Sequence, residues 1–174
     1  MSGSAGTPAL VVLQTRGIAH TVHSYEIGER SGVEAHRGER AAYGAAAAAA
    51  LDISPARLFK TLVLVLEGGR ADGELVLAVL PSDATLSERA VAHALGAKRA
   101  ALASVEQVQR ATGSVPGGVS PIGGRKAMRT LIDTSAERLT TLLVSAGRRG
   151  LAVELAPADL AALCTASYAP IAVK

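Results

Sequence analysis

An α/β fold, with strands and helices in alternation, follows from three features of the 174-residue sequence. First, two apolar runs, Phe59 to Leu66 and Glu74 to Leu80, flank the polar, glycine-bearing segment Glu67-Gly68-Gly69-Arg70-Ala71-Asp72-Gly73 and read as two strands joined by an exposed turn. Their lack of polar alternation puts them in the middle of a sheet covered on both faces. Second, Thr85-x-x-Glu88 and Ser104-x-x-Gln107 have capping-box spacing, and each opens a segment that closes at a glycine, Gly96 and Gly113, which predicts two helices. Third, the short β-rich runs Thr130 to Asp133, Thr140 to Ser145 and Leu151 to Leu155 precede Ala156-Pro157, which starts a last helix through Cys164. The expected architecture is a central mixed sheet, mostly buried, with helices packed against it.

Nearer the N-terminus, Thr7-Pro8 supplies a cap and a first-turn proline, and Gly17 a stop, so a short helix lies between them. His20 to Glu26 reads as a strand, and Ile27 to Ala35, with Gly28 and Gly32 among charges, as a loop. Arg37 to Leu51 is helical by its alanine content, and its run Ala45 to Ala50 reads as filler without chemistry. No Pro/Ser linker and no internal repeat divides the chain, so residues 1–174 are expected to form one domain.

Composition excludes several classes. Hydrophobic residues make up 49%, but 35 of them are alanine and aromatics are only 2%, so the core has to come from Leu, Val and Ile. With charged residues at 19%, the high-charge signature of a disordered chain is absent. The longest apolar runs, Ala45 to Leu51 and Leu75 to Leu80, fall far short of the roughly 18 to 20 residues that span a bilayer. No basic residue precedes Ala9 to Leu13, as a secretory signal would require, so no membrane association and a cytoplasmic location are expected. One cysteine and four scattered histidines give neither a disulfide nor a metal signature. The net charge of +3 is compatible with an anionic partner such as RNA without requiring one.

Three constellations remain as places for chemistry. Phe59-Lys60-Thr61 puts a lysine where the chain enters the sheet, facing either water or a cleft that holds an anion. Val115 to Gly124 packs Gly117, Gly118, Gly123 and Gly124 with Pro116 and Pro121 into ten positions, either as a structural loop or as a ring of main-chain N–H donors. It matches neither the P-loop nor the dinucleotide fingerprint, although the adjoining Arg125, Lys126 and Arg129 suit an anion. Val144-Ser145-Ala146-Gly147-Arg148-Arg149-Gly150 breaks a strand into a basic glycine turn, readable as a hairpin or as a phosphate contact. No Ser-His-Asp or Cys-His arrangement can be assembled, and Cys164 reads as a packed thiol.

In this order, Phe59-Lys60-Thr61-Leu62-Val63, Gly117-Gly118-Val119-Ser120-Pro121-Ile122-Gly123 and Val144 to Gly150 resemble the YbaK/EbsC family of aminoacyl-tRNA deacylases. Thr7-Pro8-Ala9, His23-Ser24-Tyr25-Glu26 and Leu95-Gly96-Ala97-Lys98-Arg99 fit the same family, so the resemblance runs from about Thr7 to the final helix. It implies the fold of the editing domain inserted in many bacterial prolyl-tRNA synthetases. It also implies a trans-editing role, in which a second site removes an amino acid that the synthetase cannot reject by binding alone.

The resemblance further implies a deacylase without cofactor or metal, acting on Cys-tRNA(Pro) in complex with prolyl-tRNA synthetase. In the Cys-specific members the substrate thiol attacks its own ester and leaves as a thiolactone, while the protein supplies position and charge stabilisation. Carried over by position, Lys60 and Gly117 would be catalytic, and Tyr25, Thr61, Gly118, Ser120, Pro121, Ser145 and Gly147 would bind substrate. The Cys-specific pattern has aspartate where this chain has Ala152, and glycine at Ala146, so alanine or another small aminoacyl group is an alternative substrate. A non-catalytic module that binds tRNA or synthetase is a rival of a different class.

Overall fold

Thr7 opens the first helix: its hydroxyl accepts a hydrogen bond from the Leu10 amide at 3.3 Å, and Pro8 occupies the first turn of α1 (Pro8–Thr15). The computed structural model describes residues 6–27 and 37–174. The strand expected over His20 to Glu26 is confined to β1 (Thr21–Ser24), and of the expected loop from Ile27 to Ala35 all but Ile27 lies outside the described residues. The alanine-dense segment forms α2 (Arg37–Ala50). Its alanines are not filler. Ala47 and Ala48 are buried, and at Gly44 an added Cβ would lie 2.9 Å from the Cβ of Ser82, so small residues let this helix lie close against the sheet.

The two long apolar runs form the expected hairpin, β2 (Phe59–Glu67) and β3 (Leu75–Pro81), in register from Phe59 opposite Pro81 to Val65 opposite Leu75. The chain continues through β4 (Thr85–Leu86), α3 (Glu88–Leu95), β5 (Arg99–Leu102) and α4 (Val105–Thr112). Ser104 and Gln107 make the predicted reciprocal capping box, and Gly96 and Gly113 end their helices in the left-handed conformation. Thr85 does not cap α3. It is held extended in β4, and Ser87, next to the helix, takes the amide of Ala90 at 3.1 Å instead. Then follow β6 (Thr130–Asp133), β7 (Leu142–Ser145), β8 (Leu151–Leu155), α5 (Pro157–Cys164), β9 (Ser167–Ala169) and β10 (Ala172–Val173).

The central sheet is mixed, with order β5-β2-β3-β6-β9; β3, β6 and β9 run parallel, while β2 is antiparallel to both its neighbours. The first strand and the last two β-rich runs leave it to form a separate antiparallel sheet, β1-β8-β7. Among the described residues the main chains of the two sheets are joined at one isolated parallel bridge, Leu58 with Leu143. Four short strands escaped the sequence pattern. Of these, β5 is alanine-rich, and β4, β9 and β10 have only two or three residues each, too few for a period of two to show.

The C-terminal segment is pinned by buried Asp133. Its Oδ1 accepts from the amides of Ile171 and Ala172 at 3.0 and 2.9 Å, and its Oδ2 from that of Ser135 at 3.0 Å. As composition required, aliphatic residues build the core: Leu13, Ile132, Leu142, Val153 and Leu160 gather around Phe59 on one side of the central sheet, and Leu64, Leu66, Val76 and Ile171 on another. Among the described residues no helix is long and apolar enough to cross a membrane.

Candidate active site

Where the two sheets part, beside the N-terminal half of β2, lies a cavity of about 110 Å³. Its walls come from both sheets and from α2: Phe59 to Val63 of β2, Leu102 and Ala103, Ser145 of β7, Ala152 of β8, and Tyr43, Gly44 and Ala47 of α2. Tyr25, which follows β1, and Pro116-Gly117-Val119 of the glycine-rich loop complete it. Residues from all three sequence constellations, from Phe59 to Arg149 along the chain, therefore meet in one place. The volume is smaller than the roughly 150 Å³ that admits a benzene ring, so the cavity suits a small side chain.

Lys60 stands at the boundary of this cavity and a second one of about 310 Å³, which is lined also by Ser82, Asp83, Ala84, Thr85 and Glu88. The half-buried ammonium donates to the carbonyl of Ala84 and, at 3.5 Å, to that of Ser82. Burial lowers the pKa of Lys60 from its ordinary value, and the negative charge of Asp83 opposes that shift. No carboxylate among the described residues lies within salt-bridge distance, so the cation is steadied by main-chain dipoles and its charge is not cancelled. Such a cation is placed to meet an anion or a developing negative charge.

Opposite, Tyr25 and Tyr43 hydrogen-bond through their hydroxyls at 3.3 Å, and the guanidinium of Arg149 lies 5.3 Å from the centre of the Tyr43 ring. Arg149 Nε and Nη2 both donate to the Pro116 carbonyl, at 3.1 and 2.9 Å. Burial first, and then the bond to Tyr43, push the Tyr25 phenol well above its ordinary pKa, so it remains neutral. The basic turn thus fixes the glycine-rich loop. Gly118 makes that approach possible, because an added Cβ there would lie 3.1 Å from the Arg149 nitrogen and 3.3 Å from the backbone of Arg148.

Of the residues singled out from the sequence, Lys60, Thr61, Tyr25, Gly117 and Ser145 line the cavity. Gly118, Ser120, Pro121 and Gly147 stand behind it. The Ser120 hydroxyl accepts from the Ile122 amide, the Pro121 carbonyl accepts from Cys164 Sγ, and the Gly147 carbonyl accepts from the Ser114 hydroxyl. Tyr43 and Arg149 had no individual signal in the sequence: Tyr43 is one aromatic in an alanine helix, and Arg149 one of two adjacent arginines. Arg129, expected to serve an anion near the loop, instead forms a bidentate pair with Glu74 at 2.8 and 2.9 Å. Burial raises the Cys164 thiol to about 12, which keeps it protonated and unreactive at neutral pH.

A polar network braces the cavity from outside. Glu154 of β8 accepts from His23 Nε2 at 2.8 Å, from Arg57 Nη2 at 2.9 Å and from the Thr141 hydroxyl at 2.6 Å. It therefore joins the strand that leads to Tyr25 to the segment that leads to Lys60. Among the described residues no group of three His, Cys, Asp or Glu side chains is arranged to hold a metal ion.

Residues 39–163 match the aminoacyl-tRNA editing domain family. The chain is 36% identical over 127 residues to EbsC of Enterococcus faecalis, a protein named provisionally as a Cys-tRNA(Pro)/Cys-tRNA(Cys) deacylase; the match covers 73% of this chain and 75% of that one. It is also 38% identical over 73 residues to the proline–tRNA ligase of Moorella thermoacetica, covering 42% of this chain and only 12% of the ligase. Among solved structures, one described provisionally as a trans-editing enzyme for prolyl-tRNA synthetase shares the fold, with a TM-score of 0.76 over 96% of each chain and 21% identity.

Proposed function

Because the chain belongs to the aminoacyl-tRNA editing domain family, whose substrates are aminoacyl-tRNAs, we propose that it is a trans-editing deacylase that removes cysteine from Cys-tRNA(Pro). The observation that carries this reading is the position of Lys60, a cation without a carboxylate partner among the described residues, between a small chamber and a larger one. An aminoacyl-tRNA has a matching division: a small side chain on one side of an ester and a nucleoside on the other. With the side chain in the 110 Å³ chamber, the ester lies at Lys60.

The chemistry then needs no protein nucleophile. The substrate thiol, losing its proton, attacks the ester carbonyl; a C–S bond forms, the C–O bond to the ribose breaks, and the ribose oxygen leaves as a hydroxyl after taking up a proton. Lys60 stabilises the negative charge that develops, and Gly117, at positive φ in the chamber wall, lets the loop come close without a Cβ in the way. Tyr25 and Ser145 offer neutral hydroxyls to the bound aminoacyl group. Prolyl-tRNA synthetase is the proposed partner, in keeping with the chain's similarity to a segment of proline–tRNA ligases.

A second substrate, Ala-tRNA(Pro), is favoured by Ala152, which puts a buried methyl rather than a polar group in the chamber wall. Incubating the purified protein with Cys-, Ala- and Ser-charged tRNA(Pro), and identifying the released product by mass, separates the possibilities. Thiolactone release from Cys-tRNA(Pro) is the expected result; release of alanine only would reassign the substrate. No release from any of the three would overturn the deacylase reading.

A further inference from the structure

The N-terminal half of β2 has one edge that no strand covers. Main-chain groups of its even-numbered residues face β3: the Leu58 carbonyl accepts from Ser82, and the Leu66 amide donates to Glu74. Those of the odd-numbered residues face the other way, where the Arg57 carbonyl takes the Leu143 amide and the Val63 carbonyl takes the Ala103 amide, each at 2.9 Å. Between these two contacts lies Thr61. The β7 strand touches only at Leu58, while β5 pairs only from Leu64 onward because the chain turns at Ser104 into α4. The N–H and C=O of Thr61 are thus left without a protein partner among the described residues, in the wall of the small chamber.

Its side chain carries a second, independent sign. Thr61 Oγ1 is the single buried side-chain oxygen or nitrogen among the described residues that lacks a hydrogen-bond partner. Buried polar groups are almost always satisfied, so an orphan hydroxyl beside an orphan N–H and C=O at a cavity marks a place where a ligand completes the set.

We propose that Thr61 holds the aminoacyl group as a one-residue antiparallel strand, an inference that rests on the deacylase reading above. In an antiparallel ladder a hydrogen-bonded pair exchanges two bonds between a single residue on each side, whereas in a parallel ladder the two bonds go to different residues. An aminoacyl ester contains the matching unit, N–Cα–C=O. Its α-amino group donates to the Thr61 carbonyl, and its ester carbonyl accepts from the Thr61 amide. The antiparallel sense directs the ester oxygen back along β2 towards Lys60 and the larger cavity, where the nucleoside is required to be. The Thr61 amide is then a donor to the oxygen on which charge develops, acting with the Lys60 cation.

The same pairing sets specificity. Directly opposite side chains in an antiparallel pair share one face, with Cβ atoms about 4.5 to 5.5 Å apart. The substrate Cβ therefore lies beside Thr61 Oγ1, which can hydrogen-bond a thiol or hydroxyl there and gains nothing from a methyl group. A D-aminoacyl ester making the same two bonds would turn its side chain to the other face and out of the chamber.

Three measurements test the arrangement. Replacing Thr61 by its α-hydroxy acid turns one amide into an ester, which removes the N–H that no strand uses and weakens the Lys60 carbonyl towards β3; kcat on Cys-tRNA(Pro) should fall about 10² to 10³-fold, as on loss of an oxyanion donor, with a much smaller change in KM. Thr61→Val should lower the ratio of kcat/KM for Cys-tRNA(Pro) over Ala-tRNA(Pro) about three- to tenfold, with Thr61→Ser restoring it. In the unmodified protein, adding 3′-cysteinylamino-3′-deoxyadenosine should shift the Thr61 amide proton downfield. Undiminished kcat in the amide-to-ester variant, or an unmoved Thr61 resonance at saturating analogue, would overturn the docking while leaving deacylation in place. Failure of the unmodified protein to deacylate would overturn the underlying reading, and the Thr61 resonance would still decide the docking.

Discussion

Desolvation lowers the pKa of Lys60 from its ordinary value, and the carboxylate of Asp83 works in the opposite direction. The sign of the resulting pH dependence follows directly. If the ammonium is the form that stabilises the departing ester, activity is lost as pH rises through the Lys60 pKa, which lies below its ordinary value. Asp83→Asn removes the group that holds the proton on, so the alkaline limb of kcat/KM should move to lower pH in that variant. Rates measured from pH 6 to 10, corrected for spontaneous ester hydrolysis, check this; an alkaline limb that stays in place or moves upward would mean that Asp83 does not govern the cation. Its place before an apolar strand made Lys60 only a candidate in the sequence, since a lysine there can equally face water, and it was the resemblance of Phe59-Lys60-Thr61 to a family motif that singled it out. Tyr43 and Arg149 were not singled out, since what distinguishes them is a contact across more than 100 residues that no local pattern encodes.

At the level of elements, the loop from Val115 to Gly124 and the turn from Ala146 to Gly150 act as one unit, joined by the Arg149 bonds to Pro116 and by backbone contact at Gly118. Gly118→Ala tests that unit. Its new Cβ would meet main-chain atoms of Arg148 and Arg149, which cannot swing aside as a side-chain tip would, so the loop should be pushed away from the turn. A cost of about 1 to 3 kcal/mol in urea unfolding is expected for such overpacking, with a fall in kcat because Pro116 and Gly117 move with the loop. Unchanged kcat in a destabilised variant would show that the loop's position is immaterial to the chemistry. The long elements of this fold could be read in advance because their signals extend over seven residues or more, an uninterrupted apolar run in β2 and β3 and a capping box with a glycine stop in α4. The division into two sheets could not. It depends on which edge of β2 is left open, and that is fixed by where β5 ends and where β7 touches.

Across the whole molecule, Glu154 gathers two bonds at the β1-β8-β7 sheet, from His23 and Thr141, and one from Arg57, which leads into β2 of the central sheet. Hydrogen bonds from Thr141, His23 and Arg57, in that order, outweigh partial burial and hold its carboxylate below the ordinary range. A carboxylate with a depressed folded-state pKa contributes stability above its unfolded value, and that contribution disappears as pH falls through the folded value. Stability should therefore decline with acidification below about pH 4.5, the ordinary value, and Glu154→Gln should flatten that decline while lowering stability at pH 7. Urea midpoints from pH 3 to 7 measure both effects, and equal slopes in the two proteins would remove Glu154 from the account.

The fold, the cavity and the open edge of β2 converge on a single claim, that Lys60 stabilises ester cleavage of a small aminoacyl group on tRNA. Its most direct test is the single-turnover rate of Cys-tRNA(Pro) deacylation by the unmodified protein and by Lys60→Ala, with circular dichroism showing that both are folded. The expected result is rapid release by the unmodified protein and a loss of at least 10²-fold in the variant, the scale of removing one preorganised charge-stabilising group. Equal rates for two folded proteins would contradict the claim.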